Sequence, residues 1–106
     1  MKHFGLFYNY VPDIRERRAP FRAAHLAHAQ AAAARGELLA GGAFVGSPAQ
    51  GLFTFKCANR AIVEAFAAAD PYVINNLVPA WRVREWLTCA GEEPLARALM
   101  AGSGPQ

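Results

Sequence analysis

The amino-acid sequence reads as one α+β domain with the element order βαββαβ, and three observations carry that reading. Aromatic and aliphatic residues alternate with a period of two near both ends of the chain, two intervening segments carry helical spacing, and Gly, Pro and Asp punctuate the joins. A length of 106 residues suits one domain, typically roughly 100–150 residues. Hydrophobic residues make up 54% of the chain, which excludes disorder. Much of that share is alanine, so the core must come from the seven Phe, three Tyr and two Trp with the Leu, Ile and Val residues.

The first strand is expected over residues 3–10, with Phe4, Leu6, Tyr8 and Tyr10 in one alternate set and Gly5 and Phe7 in the other. Pro12-Asp13 ends it, and Asp13 followed by Glu16 reads as a helix start. Pro20 interrupts, because proline removes a helical hydrogen bond and clashes with the preceding turn. A short helical turn over 13–18 and a main helix over 20–35 follow, with Gly36 as the closing C′ residue. A second strand over 37–44 is weakened by Gly41-Gly42, and a third covers 51–57 with Phe53 and Phe55 on one face. Asn59 is a suitable N-cap for a second helix over 60–69, where Ile62, Val63 and Phe66 keep helical spacing. Asp70-Pro71 stops that helix, since the residue before proline is pushed out of the α region. A turn over 72–76 and a fourth strand over 79–87 complete the order.

This is the split βαβ or ferredoxin-like arrangement, an antiparallel sheet with helices on one face. A short C-terminal helix over 93–101 is expected beyond it. The chain divides into a domain over residues 1–90 and a C-terminal helix and flexible tail over 91–106. Strand 1 is apolar on both faces, and strand 4 puts Trp81 and Val83 on one side and Trp86 on the other. A second apolar face needs a second cover, and a homodimer packed through the sheet face supplies it.

The formal net charge of +3 is spread among interleaved acids, with no basic stripe or nucleic-acid module. No run of roughly 20 apolar residues could cross a membrane, and no signal peptide is recognisable. The expectation is a cytoplasmic protein with neither nucleic-acid nor membrane partners. Cys57 and Cys89 have no CxxC spacing and read as free thiols. Metal binding needs ligands at recurring spacing, and none is present. The residues imply no cofactor.

Alternating directions of the elements bring the end of strand 1, the start of the main helix, the end of strand 2 and the end of the second helix to one edge. Tyr8, Tyr10, Gly41-Gly42 and Asp70 share that edge. His25 lies five residues into the main helix, roughly 7–8 Å below its start at 1.5 Å per residue. It flanks an expected buried stripe of Leu26, Ala29 and Ala33, with His28 rotated further away. An imidazole oriented by a carboxylate makes a usable general base, so His25 and Asp70 are the candidate pair. A helix histidine is often just a half-buried residue with one hydrogen bond, and an Asp before Pro just a helix stop; spacing alone leaves both readings open. His3 and His28 read as surface residues, and Arg82 and Arg84 as a solvated or interfacial face.

Three motifs add to this: Arg22-Ala23-Ala24-His25-Leu26, Gly36-Glu37-Leu38-Leu39-Ala40-Gly41-Gly42, and Ala69-Asp70-Pro71-Tyr72-Val73. Their order and spacing resemble the YCII-related proteins across residues 3–87. The resemblance implies a ferredoxin-like half of a dimeric α/β barrel, with a cleft around a His–Asp pair that falls on His25 and Asp70. It also implies acid–base chemistry on small molecules, dehydrochlorination of a chlorinated hydroquinone among them. Ala43 departs from the family pattern, which often has proline there.

The expected function is that of a small-molecule enzyme of lyase type. His25 would be the acid or base, Asp70 its orienting partner, Tyr8 and Gly42 pocket residues, and Asn75 a polar contact. The alternative is a non-catalytic dimeric module binding a small apolar or aromatic ligand. A structural dimer supported by the His–Asp contact is the third reading.

Overall fold

The computed structural model describes residues 1–91. The helix expected over 93–101 lies outside them, as does nearly all of the 91–106 segment. The elements are β1 (Lys2–Asn9), α1 (Ile14–Arg17), a 3-10 turn (Ala19–Phe21), α2 (Arg22–Ala34), β2 (Leu38–Ala43), β3 (Gln50–Cys57), α3 (Arg60–Ala69), α4 (Pro71–Ile74) and β4 (Ala80–Trp86). Pro20 displaces the start of α2 to Arg22 and leaves the 3-10 turn before it. Gly36 closes α2 at φ +81°. Its N–H donates to the Ala33 carbonyl and that of Glu37 to Ala32, which is the Schellman pattern a left-handed glycine permits. The Asn59 side chain caps α3 by accepting from the Ile62 N–H at 3.3 Å.

The strands form one antiparallel sheet in the order β2-β3-β1-β4. Central β1 turns Phe4, Leu6 and Tyr8 under the helices, all at most 2% exposed. Opposite them on β3 stand Phe55, Phe53 and Gly51, and on β4 Glu85, Val83 and Trp81. Burying each large apolar side chain stabilises the fold by roughly 1.5–3 kcal/mol. A one-residue slip of β1 would send the whole set to the other face, so this register is strongly specified. The α+β, ferredoxin-like architecture expected from the sequence is the one observed.

Two expectations need correction. The buried face of α2 is formed by His25 and Ala32, with Ala29 half-buried, while Leu26 is 41% exposed and Ala33 is exposed. A helix so rich in alanine has little apolar contrast to set its rotation. Polar contacts set it instead: His25 reaches Asp70, and His28 Nε2 lies 2.9 Å from the Phe66 carbonyl with its ring stacked on Phe66. Of the two histidines expected at the surface, His28 is half-buried, and His3 is 3% exposed, on the outer face of the sheet between Lys56 of β3 and Trp86 of β4.

That outer face is partly apolar. Phe7 and Leu52 are half-buried, Trp86 is exposed, and the Arg82 guanidinium lies over the Phe7 ring, 4.8 Å from its centroid. Among the described residues no helix is long and apolar enough to cross a membrane. Cys57 and Cys89 are both free thiols.

Candidate functional site

The join between α3 and α4 sets the site. Asp70 leaves the helical region at φ −68° and ψ 126°, as a residue before proline must, and so ends α3. The same residue is the N-cap of α4: its Oδ1 accepts from the Tyr72 N–H at 2.9 Å. Pro71 occupies the first turn of α4, where its missing N–H costs nothing.

The Asp70 carboxylate is fully buried, which is expensive unless it is well provided with donors. It has three. Besides the Tyr72 N–H, Oδ1 lies 2.8 Å from His25 Nδ1, and Oδ2 accepts from the Tyr8 hydroxyl at 2.7 Å. A carboxylate only accepts, so the network assigns the His25 proton to Nδ1. In the neutral imidazole Nε2 then carries the lone pair. Burial, reinforced by the adjacent Asp70 charge, pushes the Tyr8 phenol far above its ordinary range. Tyr8 therefore remains a donor to Asp70 across the working pH range.

Aromatic rings fix the imidazole in place. His25 is stacked on Tyr72 with centroids 3.8 Å apart and planes 5° from parallel, and Phe53 meets it edge-on at 6.0 Å. Tyr10 stands edge-on to both Tyr8 and Tyr72.

Beside this cluster lies a cleft of about 480 Å³, within the range of small-molecule sites. His25, Leu26 and Ala29 of α2 form one wall, residues 38–43 along β2 another, and Phe53 and Tyr72 also line it. The backbone of β2 comes close here because Gly41 opposes Phe53; a Cβ at Gly41 would sit 2.5 Å from that ring. Gly51 likewise makes room for Tyr10, whose hydroxyl would be 2.5 Å from a Cβ at that position. Arg15, Arg18 and Arg22 stand along the same cleft.

Of the residues expected at the site, His25, Asp70 and Tyr8 are brought into one hydrogen-bonded cluster. Gly42 lines the cleft through its backbone, and a Cβ there would meet nothing within 4 Å. Tyr8 is 1% exposed and faces Asp70 rather than the cleft. Asn75 is engaged locally, donating to the Pro71 carbonyl at 2.8 Å, and does not line the cleft. Sequence reasoning missed Tyr72 and the three arginines. Tyr72 carried a signal, standing two residues after the N-cap Asp70. The arginines did too: Arg15, Arg18, Arg22 and His25 follow helical spacing that Pro20 disguises. Among the described residues no group of three or more His, Cys, Asp or Glu could hold a metal ion.

Comparison with known proteins agrees with this architecture. The fold matches that of 5-chloro-2-hydroxyhydroquinone dehydrochlorinase from Burkholderia phenoliruptrix AC1100, solved in complex with 2,5-dihydroxybenzoquinone. That match has a TM-score of 0.70 at 20% identity and covers 81% of this chain and 94% of the other. Comparison with curated proteins returns no match. The family model described as the YCII-related domain matches residues 2–87, so the chain belongs to the YCII-related family.

Proposed function

We propose that the chain is a small-molecule enzyme of lyase type in which His25 moves the proton. The observation that carries this reading is the 2.8 Å contact between His25 Nδ1 and the fully buried Asp70, in a histidine that also lines the cleft. Nε2 takes a proton from a carbon or hydroxyl of the bound substrate. The released electron pair forms a new double bond, a leaving group such as halide departs with its own pair, and His25 passes the proton to solvent. Asp70 orients the ring and stabilises the imidazolium as it forms, and Tyr8 holds Asp70 in place. The reading calls on no cofactor. The dehydrochlorinase that shares the fold supports the assignment to elimination chemistry.

The same reading includes a homodimer packed through the outer face of the sheet, supported by the exposed Trp86 and the half-buried Phe7 and Leu52 on that one face. A cytoplasmic location is supported by the two free thiols.

The test is to incubate the protein with a panel of halogenated hydroquinones and phenols, and to follow halide release and ligand binding in wild type and His25→Ala. An enzyme loses turnover in the variant while retaining its fold and much of its affinity. Loss of affinity, with no turnover in either protein, would replace this reading with a binding module. Loss of stability alone would leave the pair a structural one.

A further inference from the structure

The walls of the cleft differ in charge from the rest of the surface. Arg15, Arg18 and Arg22 line it with His25, and among the described residues no Asp or Glu does. The described acids lie elsewhere: Asp13 faces Arg17 at 3.7 Å, Glu37 faces Arg35 at 3.0 Å, Asp70 is buried beneath His25, and Glu16, Glu64 and Glu85 are exposed outside the cleft lining. Among the described residues, none of the three cleft arginines has a hydrogen-bond or ion-pair partner. Arg18 is half-buried and close enough to Tyr10 for its charge to offset part of the effect of burial on that phenol, which places it down in the cleft.

The arrangement has a direction. Arg15, Arg18, Arg22 and His25 are spaced 3, 4 and 3 residues apart through α1, the 3-10 turn and α2. Arg22 and His25 sit on successive turns of one helix, with Cβ atoms roughly 5–6 Å apart. Past His25 the same wall turns apolar, with Leu26 and Ala29 facing Phe53 and the thin Gly41-Gly42 segment. Cation at one end, proton-transfer group next, flat apolar walls beyond: a ligand that satisfies all three carries its charge at one end of a planar body. Three unpaired positive charges on one lip also draw anions toward the cleft before they bind.

We infer that the cleft takes a small planar organic carboxylate, its anionic end received by Arg18 and Arg22 and its ring laid against the Phe53 side with an edge presented to His25. A guanidinium offers two parallel N–H donors that match the two oxygens of a carboxylate, which favours this anion over a point-charge halide. The inference rests on the proposed acid–base site and adds the class of its substrate. Arg15, more exposed at the mouth, steers the anion inward.

The test uses matched probes that differ only in charge: benzoate against benzamide, and 2-naphthoate against 2-naphthamide. Binding is followed by NMR on the full chain through the His25 and Tyr72 ring signals and the Gly42 amide. The carboxylates should bind about tenfold or more tightly than the amides, as expected for charge-assisted pairing, and should weaken as salt is raised. The double variant Arg18→Gln/Arg22→Gln should abolish the preference, and Arg17→Gln, whose partner is Asp13 outside the cleft, should retain it. Equal binding of acids and amides at His25, or a preference that survives the double variant, overturns the carboxylate inference and leaves the cleft reading intact. Absence of any ligand-induced change at His25 and Tyr72 across both series overturns the two together.

Discussion

His25 lies flat on the Tyr72 ring at 3.8 Å while its Nδ1 meets Asp70, the residue two positions before that tyrosine. One short segment, Asp70 to Tyr72, therefore supplies both the acceptor that orients the imidazole and the surface that keeps it from rotating. The consequence is a single tautomer. In wild type, ¹⁵N NMR of the imidazole should show Nδ1 protonated and Nε2 bare at a pH where the ring is neutral. In Asp70→Ala the population should move toward the Nε2–H form. A wild-type ring with its proton on Nε2 would contradict the orientation assigned to the pair.

The carboxylate network should also carry stability. Tyr8→Phe removes the donor to Oδ2 and leaves a buried charged oxygen short of a partner, a loss of about 1–3 kcal/mol. Asp70→Ala removes the acceptor shared by His25, Tyr8 and the Tyr72 N–H together with the α4 cap, and should cost more, about 3–5 kcal/mol. Urea denaturation of the two variants checks the order. A neutral Tyr8→Phe would mean that the hydroxyl contributes nothing to holding Asp70.

Alkaline pH should expose the same network. Burial raises the phenols of both Tyr8 and Tyr10, with the Asp70 charge adding to each. In the unfolded chain a phenol ionises near about 10. Below that pH both states keep the proton and the contribution to stability is fully present. Above it the unfolded chain releases protons that the native state retains, so stability falls as pH rises toward the higher native values. Each tyrosine can steepen the decline by up to about 1.4 kcal/mol per pH unit. Denaturation curves on either side of pH 10 should fall less steeply in Tyr8→Phe than in wild type. Identical slopes would show that Tyr8 ionises as readily folded as unfolded.

The two adjacent glycines of β2 should respond in opposite ways. A Cβ at Gly41 would press to 2.5 Å of the Phe53 ring, which also packs against Tyr8 and Phe66, so the ring cannot yield cheaply. Gly41→Ala should destabilise by about 1–3 kcal/mol through overpacking. A Cβ at Gly42 meets nothing within 4 Å, and Gly42→Ala should stay within about 0.5 kcal/mol of wild type. Thermal melts of the pair separate the cases, and a reversed order would mean that the strand register assigned to β2 is wrong.

The fold was legible because its signals are local and redundant. Period-two patterning in β1 and β3, Pro20, Gly36 and the Asn59 cap each act on a few neighbouring residues, and each left a mark in composition or spacing. The α2 stripe was not legible: alanine on nearly every side leaves hydrophobicity without a direction, and two histidine contacts decided the rotation. The role of Tyr8 was half legible. Its parity with Phe4 and Leu6 put it on their face of β1, but whether its hydroxyl turned toward a ligand or toward Asp70 depended on a residue 62 positions away.

By itself the sequence determined the βαββαβ order of the elements, their boundaries to within a residue or two, the antiparallel sheet, and the arrival of Asp70 at the same edge as the start of the His25 helix. Those follow from periodicity, capping and chain direction, which are properties of short stretches of chain. Only the tertiary structure decided that Asp70 is shared among His25, Tyr8 and the Tyr72 backbone, that Tyr72 lies beneath the imidazole, and that three arginines face a cleft with no acid among its described lining residues. These depend on how distant segments approach to within a few ångströms, and a buried carboxylate takes whichever donors that packing brings to it.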